Sequence, residues 1–77
     1  MWYETHIRIM PGDDSAEDIT IDPRGRRWAK GIVDLTVVGH IYRADELATV
    51  IVTVTGQTIQ VLTPYKTLAR ILAEQVV

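Results

Sequence analysis

The chain has no cysteine, a single serine and two histidines among its 77 residues. Without cysteine there is no disulfide, no thiolate nucleophile and no thiolate-bound metal. The one serine, Ser15, sits among Asp13, Asp14, Glu17 and Asp18, none of which is a base of the usual kind. His6 and His40 fall on separate expected strands, so no nucleophile, base and orienting acid can be drawn together. Neither a C-x-x-C nor an H-x-x-x-H spacing occurs, and the acidic run from Asp13 lacks the glycine that a calcium-binding loop needs at its sixth position. Gly25 and Gly31 are isolated, which removes the phosphate-cradling loops. The expectation is a protein that is not an enzyme, with no catalytic residues, no metal and no cofactor.

Long apolar runs are missing too. No window approaches 18 consecutive apolar residues, and the start Met1-Trp2-Tyr3-Glu4-Thr5-His6 lacks the basic and apolar parts of a signal peptide. A soluble cytoplasmic protein with no membrane partner is expected. A chain of 77 residues allows one domain, covering 1–77, and a domain of this size buries only roughly 60% of the surface its unfolded chain exposes. With disulfides excluded, self-association is the expected remedy for so small a core.

What the chain does have is segregated charge. Net charge is only −2, but Arg24, Arg26, Arg27 and Lys30 surround Trp28 within eight residues. Half of the basic charge therefore follows directly on a stretch from Asp13 to Asp22 that holds five carboxylates and no cation. Arginine supplies six of the eight cations, and its planar fork suits bidentate contacts with carboxylate or phosphate.

The pattern from Gly31 to Thr63 predicts an antiparallel meander of three strands. A two-residue turn at Gly56-Gln57 would set Val52 against Val61 and Ile51 against Leu62. A four-residue loop from Arg43 to Glu46 would set Tyr42 against Leu47 and Val38 against Ile51. These two registers agree on a core face of Val33, Leu35, Val37, Ile41, Val50, Val52, Val54, Ile59 and Val61. After Thr63, a cap, and Pro64, a first helical residue, apolar positions Tyr65, Leu68, Ala69, Leu72 and Val76 recur at helical spacing. Tyr3 to Ile9 alternates like a strand ending at a turn from Pro11 to Asp14, and Asp18 to Asp22 reads as a further short strand. The expected fold is α+β: this meander, one or two N-terminal strands, and the C-terminal helix packed on one face.

Two surfaces then invite partners. The opposite sheet face would align Val38, Ile51 and Leu62 with Tyr42 and Leu47, an apolar row suited to a homodimer contact. Arg24, Arg26, Arg27, Trp28 and Lys30 form the expected partner-binding segment. Its ligand would be an acidic protein surface or, alternatively, a phosphate backbone with Trp28 stacked on a base. Against both stands an internal clasp, in which Asp13, Asp14, Glu17 and Asp18 neutralise the arginines and Trp28 plugs the core. The leading reading is a non-catalytic, homodimeric regulator or inhibitor that acts by protein–protein contact; the alternative is a nucleic-acid-binding module.

Overall fold

In the computed structural model, which describes residues 1–9 and 18–75, the chain forms β1 (Trp2–Arg8), β2 (Thr20–Ile21), β3 (Arg27–Asp34), β4 (Val38–Arg43), β5 (Thr49–Thr53), β6 (Thr58–Val61) and one helix, α1 (Tyr65–Glu74). The six strands make a single antiparallel sheet in the order β2-β3-β1-β6-β5-β4. This corrects the expected meander of three strands with one or two more. The turn expected from Pro11 to Asp14 lies outside the described residues.

The first cause of the correction is a break in what reads as one strand from Val33 to Tyr42. Asp34 Oδ1 accepts hydrogen bonds from Thr36 N at 3.0 Å and from Thr36 Oγ1 at 2.7 Å. A short polar side chain capturing the backbone two residues on is the usual competitor of a strand ladder. Leu35–Val37 consequently wind into one 3-10 turn, with Leu35 buried. Upstream of it, β3 lies against the whole of β1, from Trp2 opposite Asp34 to Arg8 opposite Trp28. Downstream, β4 crosses to the far edge and pairs only with β5.

The second cause is loop length. Between β5 and β6, Thr53 N donates to Gln57 O at 2.8 Å and Gly56 N to Thr53 O at 2.9 Å, which leaves a loop of Val54, Thr55 and Gly56 with Gly56 at φ +90°. Between β4 and β5, Ala44 N donates to Ala48 O at 3.1 Å, enclosing Asp45, Glu46 and Leu47. Ile51 therefore opposes Ile59 and Ile41 rather than Leu62 and Val38. Each register differs from the expected one by an odd number of residues, so β5 turns over relative to both neighbours. The two expected registers agreed with each other only because both carried the same inversion.

Val33, Leu35, Ile41, Ile59 and Val61 do pack together, but the β5 residue that joins them is Ile51, and Leu68 of α1 completes the cluster. Thr49, Ile51 and Thr53 are buried while Val54 is 70% exposed in the turn. Burying threonines is tolerable only where each hydroxyl has a partner. Thr49 Oγ1 donates to Thr63 O at 2.7 Å, and Thr53 Oγ1 meets Thr55 Oγ1 at 2.9 Å and accepts from Gln57 N at 3.1 Å.

Thr63 is not the helix cap. Its hydroxyl is buried against Thr5 Oγ1 at 2.7 Å, and Pro64 takes the capping position without a side-chain bond. What holds α1 is its apolar stripe: Leu68 is fully buried and Ile71 and Leu72 pack beside it. The Leu68 side chain alone contributes roughly 1.5–3 kcal/mol. Among the described residues no helix is long and apolar enough to cross a membrane.

Candidate functional site

The basic segment opens with a hairpin loop of Pro23, Arg24 and Gly25. Asp22 N donates to Arg26 O at 3.0 Å, Gly25 N donates to Asp22 O at 2.9 Å, and Gly25 adopts φ +81°. Proline ahead and glycine in the left-handed region behind favour this tight turn. Asp22 is buried inside it and accepts four hydrogen bonds. Its Oδ1 takes Arg24 N and Arg26 N, each at 2.9 Å, and its Oδ2 takes Arg26 Nε at 2.6 Å and Trp28 Nε1 at 2.9 Å. Burial alone would raise the Asp22 carboxyl pKa; the bonds from Trp28, Arg26 and Arg24 outweigh it and pull it down to about 2.

Arg26 then reaches across the molecule. Its Nη1 lies 2.6 Å from Asp45 Oδ2 in the β4–β5 loop, and its guanidinium sits 5.3 Å from the centre of the Trp28 ring. Arg24 Nη1 is a longer 3.9 Å from the same Asp45 oxygen. Asp45 is itself fixed by accepting Leu47 N at 2.8 Å and Ala48 N at 3.0 Å through its other oxygen. The Arg26 bond and these amides hold the Asp45 carboxyl below its ordinary range, and Asp45 raises Arg26 further above an already high value. Because β2–β3 and β4–β5 lie on opposite sides of the sheet order, this ion pair ties one side of the sheet to the other. Trp28, Ala48 and Val50 are buried outside the core built around Ile51.

β1 and β6 share one ladder pair, Ile7 with Val61. A cleft of about 810 Å³ opens there, lined by Arg8, Arg24, Arg26 and Arg27, with Ile9 and Ile59 among its apolar walls. No carboxylate lines it among the described residues. Arg8 Nη1 donates to Gln60 Oε1 at 2.9 Å, and neither Arg8 nor Arg27 has an acidic partner among the described residues. Two buried donor atoms of these arginines, Arg26 Nη2 and Arg27 Nε, have no hydrogen-bond acceptor among the described residues. A buried guanidinium N–H without an acceptor costs on the order of 1–3 kcal/mol or more.

Of the expected partner-binding residues, Arg24, Arg26 and Arg27 do meet at this cleft. Trp28 is not in its lining and is fully buried. Lys30 turns away to Glu4, 3.0 Å distant, and that hydrogen bond raises its pKa. The internal clasp exists, but through Asp22 and Asp45. Asp13, Asp14 and Glu17 lie outside the described residues, and Asp18 faces Lys30 instead.

The apolar row Val38, Ile51, Leu62, Tyr42 and Leu47 is not assembled: Ile51 is fully buried, Val38 packs on the core, Leu62 is half-buried, and only Tyr42 and Leu47 are exposed. Arg8, Gln60 and Asp45 were missed as site residues because they reach the cleft or its clasp through non-local pairings. The turn signal Asp22-Pro23-Arg24-Gly25 was readable and would have placed Asp22 inside a hairpin. The chain matches no protein-family model, no curated protein and no solved structure, so function has to be argued from these residues.

Proposed function

We propose that the protein is a small non-catalytic binding module, a regulator or inhibitor acting by protein–protein contact, whose arginine cleft takes an acidic segment of its partner. The observation that carries this is a cleft with four arginines and no carboxylate among its described lining, of which Arg8 and Arg27 have no acidic partner among the described residues. Charge-assisted bonds from arginine to carboxylate are roughly twice as strong as neutral ones, and the isoleucine walls offer an acidic peptide's apolar residues a surface to cover. The nucleic-acid reading leaned on Trp28 as a stacking platform. That indole is fully buried with its N–H committed to Asp22, so a base could reach it only by unpacking the clasp.

Fluorescence polarisation with a labelled glutamate-rich peptide, beside a labelled oligothymidylate, tests the reading. The peptide should bind, and Arg8→Gln with Arg27→Gln should weaken it by roughly tenfold or more while the melting temperature does not fall. Tighter binding of the oligothymidylate, with the steep salt dependence of counterion release, would replace this reading with the nucleic-acid one. Failure of both probes to bind would end both readings.

A further inference from the structure

The end of β1 remote from the cleft carries the most exposed aromatic side chain of the chain. Trp2 is 70% exposed and Ile32 is 60% exposed. Trp2 opposes Asp34 and Ile32 opposes Glu4 in the β1–β3 ladder, so the two side chains are diagonal neighbours on one sheet face, roughly 7–8 Å apart and within an indole's reach. Beside Ile32 lies a second cavity, of about 320 Å³, lined by Glu4, Asp18, Lys30, Gly31 and Ile32. The molecule's own Trp2 is not among its walls.

We propose that two copies of the chain associate through this corner, the Trp2 indole of each seated in the Ile32 cavity of the other. The chemistry of knob and socket matches. An indole wants an apolar floor for its ring and an acceptor for its single N–H donor. The socket offers Ile32 as floor and the carboxylates of Glu4 and Asp18 as acceptors. The Lys30 ammonium, held 3.0 Å from Glu4, lies where a cation can approach the ring face. A cavity of roughly 150 Å³ holds a benzene ring, so the larger socket has room for an indole.

Knob and socket stand side by side on one face. A two-fold axis lying in the interface between them therefore makes both contacts at once, the isologous arrangement that closes as a dimer. The apolar area removed from water compensates the small core of a chain this short.

The location also fits the proposed function, on which the dimer itself does not depend. Trp2 and Arg8 stand at opposite ends of β1, roughly 20 Å apart at strand rise, so dimerisation leaves both arginine clefts open. A dimer then displays two clefts, and a partner with two acidic segments would gain avidity without any new contact.

Sedimentation velocity without ligand, over a concentration series reaching the high micromolar range, is the test. The native chain should sediment as a dimer. Trp2→Ala should raise the dimer dissociation constant by roughly tenfold or more, as expected of a buried aromatic anchor, with the buried emission of Trp28 reporting that the fold is intact. Ile32→Glu should do the same from the socket side. A native monomer across the series, or a Trp2→Ala variant that dimerises as well as the parent, would overturn the proposal. Neither result bears on the peptide assay of the cleft.

Discussion

Two hairpin turns in this molecule have the same backbone and opposite fates. The β2–β3 loop, Pro23-Arg24-Gly25, and the β5–β6 loop, Val54-Thr55-Gly56, each close with a pair of backbone bonds and a glycine at positive φ. The residue before each loop then decides what the turn becomes. Thr53 accepts a single backbone amide, from Gln57, and its loop is exposed. Asp22 accepts four donors, holds Arg26 in a part-buried ion pair, and through Arg26 reaches Asp45 on the other side of the sheet. Glycine placement sets the path of the chain; the charge of one preceding side chain turns that path into the wall of a cleft.

The comparison breaks most visibly at Asp22. Asp22→Ala leaves Arg26, the Trp28 N–H and two turn amides without their acceptor, and should lower the urea midpoint more than any other substitution in either turn. An unfolding curve that barely moves would mean that the two turns are equivalent after all.

Acid supplies the next contrast. The Asp22 carboxyl is depressed to about 2 in the folded chain, against about 3.9 for an unperturbed aspartate. Its stabilisation is therefore complete above the unfolded value and drains away as pH falls toward the folded one. Asp45, also depressed by Arg26, acts in the same direction. Urea midpoints of the native chain should fall between about pH 4 and pH 2, and Asp22→Asn should flatten that fall while being less stable at neutral pH. Thr53→Val in the other turn should leave the slope unaltered.

The glycines should behave alike. A Cβ at Gly25 or at Gly56 meets nothing within 4 Å, so only the positive φ resists a side chain. Alanine at either position should cost roughly 1 kcal/mol, the penalty of a left-handed non-glycine residue. A much larger cost at Gly25 would mean that the clasp tolerates no adjustment of its turn. Smallest of all, Thr53→Val removes two neutral hydrogen bonds whose partners, Thr55 and Gln57, are exposed and can turn to water, and should cost about 1 kcal/mol or less.

Where the sequence could be read, local chemistry did the work. The alternation from Tyr3 to Ile9 lies over β1, and the helical spacing after Pro64 lies over α1. Val33, Leu35, Ile41, Ile59 and Val61 occupy the face their alternation assigns them. The inversion of β5 was not legible, because Thr49-Val50-Ile51-Val52-Thr53 offers two β-branched faces of nearly equal shape. The hydroxyl partners that decide between them, Thr63 and Thr55, are recognisable only once the strands are placed. Asp34 carried a signal for the break before β4, since an aspartate two residues ahead of Thr36 is a local cap. Of the site, the arginines were legible as a cluster. Their division between the clasp and the cleft was not, because Asp45, in the β4–β5 loop, and Arg8, on β1, are distant in sequence.

That division is the central claim, and neighbouring residues test it. Equilibrium unfolding of Arg26→Gln and Arg27→Gln, with polarisation of the glutamate-rich peptide on the same preparations, separates the two roles. Arg26→Gln should lose roughly 2 kcal/mol, since it leaves the Asp22 and Asp45 carboxylates of a part-buried network without their cation. Arg27→Gln removes a buried donor that has no acceptor among the described residues, so it should be no less stable than the native chain and should lose the peptide. An Arg27→Gln protein as destabilised as Arg26→Gln, or one that binds the peptide as the native chain does, would contradict the account.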